Sequence, residues 1–95
     1  MDIYTIVEFG SNDKWFVMAC DTIKGNKYSY LIKVNEKEDD FIDEYQVVKS
    51  YFDASDEYMD VVSGDELKEA LKILAPQAKE LIDNPEKLKN LLNNN

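Results

Sequence analysis

The chain has 95 residues, 44% hydrophobic and 12% aromatic, with a formal net charge of −9, one cysteine, no histidine and no arginine. That length closes one core, and the apolar content is too high for a disordered acidic chain. A single cysteine excludes an internal disulfide and a cysteine-rich zinc site, and without histidine or arginine the commonest general base and the planar fork that reads phosphates are both missing.

Met1-Asp2-Ile3-Tyr4 has no leader pattern and no apolar run approaches the roughly 20 residues that span a bilayer, so a cytoplasmic protein without a membrane partner is expected. Ile3 to Phe9, dense in β-branched and aromatic residues, predicts a first strand that stops at Gly10-Ser11-Asn12-Asp13. Lys14 to Cys20 predicts a second, running on towards Ile23, with Cys20 as a small core residue. Gly25-Asn26 offers positive-φ residues for a tight hairpin, and Lys27 to Val34 returns as a third strand. In it Tyr28, Tyr30, Ile32 and Val34 share one side, Ser29 and Lys33 the other, with Leu31 the exception.

Asn35 to Asp43 breaks the pattern with a run of charges and is expected to be a solvated loop. Glu44 to Phe52 resumes strand character, Asp53-Ala54-Ser55-Asp56 is a turn, and Glu57 to Val62 reads as a fifth strand. Helical spacing of Phe52, Ser55, Tyr58, Met59 and Val62 leaves a helix over 53–62 as the alternative. Ser63-Gly64-Asp65-Glu66 forms the pattern of a capping box, with Ser63 as N-cap and Glu66 reaching back. Leu67, Ala70, Leu71, Leu74 and Ala78 then make one apolar stripe. Pro76 is expected to kink or break the helix, and Asn84-Pro85 to open a short last helix with Leu88, Leu91 and Leu92. Positions 67, 71, 74, 78, 81, 85, 88 and 92 alternate four and three as a coiled-coil seam does. Self-association through this tail therefore stands beside plain packing of its helices.

The fold expected is α+β: a small antiparallel sheet of about five strands in meander order, followed by a C-terminal helix or kinked helical pair. A sheet-plus-helix domain would cover residues 1–75 and a helical tail 76–95. Strands one to three carry apolar residues on both faces. One face suits the helix; the other must be closed by sheet curvature, by the tail or by another protein.

Residues 35–66 hold twelve acids against Lys37 and Lys49, a local balance of −10, while the rest of the chain is nearly neutral. Such a region selects basic partners and repels nucleic acid. The run 36–44 lacks the spacing and the glycine of a calcium loop, so neither metal nor cofactor is expected. The serines have no histidine to activate them and no phosphate-cradling glycine loop exists, so the chain reads as a non-enzyme. Rings interleaved with carboxylates suit a lysine- or arginine-rich partner through cation–π contact and charge pairing. The same alternation also arises when the rings turn inward as core.

Candidate partner-binding residues are Glu36, Glu38, Asp39, Asp40, Asp43, Glu44, Tyr45, Tyr51, Asp53, Asp56, Glu57, Tyr58 and Asp60. They point to a non-catalytic adaptor or regulator that binds a basic protein through residues 36–60. The alternative is an acidic inhibitor that imitates nucleic acid and fills the groove of a nuclease or DNA-binding enzyme, which needs a rigid row of carboxylates repeating at about 6.6 Å along a strand.

The order of Gly10, Gly25-Asn26-Lys27-Tyr28-Ser29-Tyr30-Leu31, the acidic loop, Glu44-Tyr45-Gln46-Val47-Val48-Lys49, Glu57-Tyr58-Met59-Asp60-Val61 and Asp65-Glu66-Leu67 resembles the YrzB-like small acidic bacterial proteins across residues 3–75. The resemblance implies a small β-sheet with a C-terminal helix and brings no catalytic residues, since the family's function is itself uncharacterised. The chain departs from the family pattern in a less acidic start and in its tail beyond Pro76.

Overall fold

A computed structural model describes residues 2–94; Met1 and Asn95, the outer ends of the two predicted segments, lie outside the described residues. Strands β1 (Ile6–Glu8), β2 (Lys14–Ile23), β3 (Asn26–Val34), β4 (Phe41–Asp53) and β5 (Asp56–Val61) are followed by helices α1 (Gly64–Ile82) and α2 (Pro85–Asn93). Each strand pairs antiparallel with the next, giving the order β1-β2-β3-β4-β5. This is the α+β meander with C-terminal helices that the periodicities predict, and residues 53–62 form a turn and a strand rather than a helix.

Several local expectations shift. The β2–β3 turn is Lys24-Gly25, at φ 51° and 84°, one residue earlier than Gly25-Asn26, because Asn26 pairs with Ile23. A type I′ two-residue turn needs positive φ at both central positions, and the pairing of Ala19 with Tyr30 and Cys20 with Ser29, on the turn side of the irregularity at Met18, sets which two residues those are. β1 is shorter than expected: Tyr4 turns to φ 64° while its N–H and the Thr5 carbonyl both bond Val17, so two residues oppose one. β4 begins at Phe41 rather than Glu44, because Phe41 pairs with Val34 and sets its ring edge-on against Phe16 at 5.7 Å.

α1 runs unbroken through Pro76, so the predicted boundary at 75/76 falls inside a helix and the chain breaks at Asp83-Asn84 instead. Proline costs roughly 3 kcal/mol inside a helix. Here it sits on the exposed side, while Leu74, Ala78 and Leu81 bury the opposite side on both flanks of it, and each leucine contributes about 1.5–3 kcal/mol. Asn84 caps α2 by accepting from the Lys87 N–H at 3.3 Å, with Pro85 in the first turn as predicted. Leu88 and Leu92 join the same core as α1, and Leu67 and Leu71 pack against it. Apart from the exposed Pro85, the predicted seam thus packs into the chain's own core.

Two clusters share the sheet. Phe16, Met18, Ala19, Tyr28, Ile32, Val34 and Val47 meet the helices. Trp15, Val17, Leu31 and Val48 form the other, ringed by Val7, Phe9, Cys20 and Met59, with no helix over it. Leu31, the exception to the alternation, is the anchor of that second face. Of the three closures considered for it, curvature is the one observed: a register shift between Val17 and Ala19 and another between Ile32 and Val34 bend the strands, and Phe9 beside β1 and Met59 of β5 reach one cluster from opposite edges. Lys33 adds cover, its Nζ lying 5.5 Å from the Trp15 ring. Cys20 is half-buried at the rim, its sulfur 3.3 Å from the Ser29 hydroxyl, not sealed in the core as expected.

Candidate functional site

The acidic third of the chain divides between the two ends of β4. At about 3.3 Å per residue the ten steps from Asp43 to Asp53 span roughly 33 Å, so the candidate residues cannot act as one patch.

At the first end the turn is closed by its own side chains. The Asn35 side-chain oxygen accepts from the Asp39 and Asp40 N–H groups at 3.1 and 3.3 Å, and its amide donates to the Asp39 carboxylate at 2.7 Å. Lys14 donates to the Glu38 carboxylate at 3.1 Å and to the Glu36 carbonyl at 3.0 Å. Glu44 lies 3.8 Å from Lys33, which also reaches Asp13 at 3.5 Å. Residues 36–40 are solvated, as expected, and are closed by these bonds into an ordered turn. Asp40, Asp43 and Tyr45 border a shallow groove completed by Phe41, Ile82, Pro85 and Leu88. Burial raises the Tyr45 phenol, and the charge and hydrogen bond of Asp43 raise it further.

The second end is the β4–β5 hairpin. Tyr51 faces Tyr58, Asp53 faces Asp56, and Lys49 faces Asp60. Because side chains alternate, all six stand on the face of Val47, which is the helix face. α1 lies over β2, β3 and β4, and the hairpin extends past it. The two tyrosine rings stack at 5.6 Å and 20° and remain 45% and 44% exposed. Among the described residues no cation lies within ion-pair distance of Asp53 or Asp56. Glu57, with Phe52, Met59 and Val61, points to the opposite face.

A small network marks where hairpin meets core. Glu66 accepts from the Tyr28 hydroxyl at 2.7 Å and from Lys49 at 3.1 Å, so it does not close the predicted capping box, and Ser63 makes no side-chain cap bond. The Tyr28 hydrogen bond, then that from Lys49, hold Glu66 below the ordinary carboxylate range. In return Glu66 raises Lys49, and its hydrogen bond together with burial raises Tyr28. Glu66 and Lys49 belong to the site's framework although only their charge was legible in the sequence.

The candidate residues did not include Phe52 and Val61, which are 69% and 67% exposed. The signal in the sequence was partial: Phe52 adjoins Asp53 and Val61 adjoins Asp60. Among the described residues no group of three or more His, Cys, Asp or Glu is arranged to hold a metal ion, and no helix is long and apolar enough to cross a membrane. Compared with protein-family models, curated proteins and solved structures, the chain finds no match in any of the three, so the likeness to the YrzB-like proteins stands on its sequence pattern alone.

Proposed function

We propose that the protein is a small non-catalytic binding module that docks a basic region of a partner protein on the hairpin end of the sheet, through Tyr51, Asp53, Asp56, Tyr58 and Asp60. One observation carries the reading: a stacked, half-exposed tyrosine pair lies between two aspartates at the tip and a third at the base. A lysine or arginine over those rings gains cation–π attraction and a carboxylate partner together. The turn at 36–40 is a weaker docking site, since Lys14 and Asn35 already engage its groups. Mimicry of nucleic acid calls for one rigid row of carboxylates, and acids divided between two ends of a strand favour the local docking site instead.

The test is capture of a basic partner from cell extract at low and high salt by the wild type and two charge-reversed proteins. Converting Asp53, Asp56 and Asp60 to lysine should abolish the salt-sensitive capture, and converting Asp39, Asp40 and Asp43 should leave most of it. Capture that survives the first change and is lost with the second would move the site to the turn. Capture indifferent to both would refute it.

A further inference from the structure

β5 is an edge strand, hydrogen-bonded, among the described residues, to β4 and to no other strand of the sheet. The Val62 N–H donates to the Val47 carbonyl at 2.9 Å, so Val62 faces β4 with its backbone. By alternation Asp60, Tyr58 and Asp56 do the same, and the backbone groups of Met59 and Val61 turn to the open edge. The side chains follow the opposite grouping: Asp56, Tyr58 and Asp60 stand on the helix face, Met59 and Val61 on the other.

We infer that this edge takes up an extended segment of a partner protein as a sixth, antiparallel strand, with lysine or arginine at alternate positions and aliphatic residues between them. The inference rests on the docking reading above and adds how the basic segment is held. A strand laid along β5 brings one set of its side chains beside Asp56, Tyr58 and Asp60, where cations find two carboxylates and a ring face. The other set falls beside Met59 and the exposed Val61, where aliphatic groups cover apolar surface. A second copy of this chain fits poorly, because antiparallel pairing of two β5 strands brings the Asp56 and Asp60 carboxylates of both copies onto one face, opposite or diagonal to one another. The charges that guard the edge against itself thus select a basic strand.

Pairing also fixes which backbone nitrogens matter. A residue opposite Met59 exchanges both hydrogen bonds with it and shares its face, so the aliphatic residues of the segment donate to β5 and the basic ones do not. The probes are a seven-residue peptide alternating lysine and valine, its isomer with the lysines grouped, and two N-methylated forms of the alternating peptide, one methylated at every valine and one at every lysine interior to the chain. Each is titrated into the unmodified protein by calorimetry, with the Met59 and Val61 amide resonances followed by NMR.

The alternating peptide should bind about tenfold or more tighter than the grouped one, lose that advantage on valine methylation, keep it on lysine methylation, and slow amide exchange at Met59 and Val61. Equal binding of all four peptides would overturn strand addition while leaving the charge-based docking site standing. Failure of every peptide to bind at low salt would overturn both. Concentration-dependent shifts at Met59 and Val61 in the protein alone would make the occupant a second copy and refute the basic one.

Discussion

Both ends of β4 are acidic, yet they differ in what their carboxylates do. At the 36–40 end, charge is turned inward: Asp39 closes onto Asn35, Glu38 onto Lys14, and Phe41 pins the turn to the core through Phe16. At the hairpin end Asp53 and Asp56 face one another beyond the tyrosine pair, only Asp60 at the base stands opposite a lysine, Lys49, and the large apolar residue, Phe52, lies open to water. Equal charge along the sequence therefore becomes structural in one place and available in the other. What decides is whether a lysine, an amide and an anchoring ring are near.

The contrast is broken most forcefully at the two phenylalanines. Phe41→Ala should cost about 2 kcal/mol, read by urea unfolding, because a half-buried ring and its edge contact are lost. Phe52→Ala should stay within about 0.5 kcal/mol of wild type. Equal losses would show that the hairpin end is as tightly anchored as the turn.

Asn35→Ala comes next, at about 1 kcal/mol, since two turn N–H groups lose an acceptor and can recover water only in part. Amide exchange at Asp39 and Asp40 should quicken while that at Tyr51 and Tyr58 stays unchanged. Unchanged exchange at Asp39 would mean that the turn does not depend on Asn35.

The smallest effect is expected at the base of the hairpin, where the Glu66 carboxylate is open to water and its ion pair is screened. Folding lowers the Glu66 pKa, so its contribution is present above the ordinary value of 4.5 and is lost as pH falls through the lower folded value. Glu66→Gln should melt slightly below wild type at neutral pH, with the gap closing in acid. A gap that persists unchanged in acid would assign it to packing around Tyr28 instead.

Much of the architecture was legible in the chain. Alternation in 28–34, the turn residues near 10, 25 and 54, and the stripe through Leu67, Ala70, Leu71 and Leu74 each reflect a local period that the sheet and helix preserve. The misreadings arose where distant contacts overrode local chemistry. Pro76 keeps its helix because Leu74, Ala78 and Leu81 are buried against the sheet. Glu66 leaves Ser63 for Tyr28, 38 residues away. The Val17–Ala19 irregularity, which brings Ala19 as well as Met18 to the helix face and curls the sheet, has no glycine to announce it.

The site was legible as residue types and hidden as geometry. Tyr51 and Tyr58 could be assigned to strands, but their stacking follows from the turn at Ala54-Ser55 setting them opposite. That Asp39 and Asp53 lie at opposite ends follows from β4 running for 13 residues, where the charge run at 36–44 hid its first three.

The most direct measurement is NMR of the side-chain carboxylates and tyrosine rings during titration with a short oligolysine at low salt. Asp53, Asp56, Asp60 and the rings of Tyr51 and Tyr58 should shift at the lowest concentrations, with Glu38 and Asp39 following only at higher ones. Shifts that begin at Glu38 and Asp39, or that rise together at both ends of β4, would contradict the division between engaged and available charge.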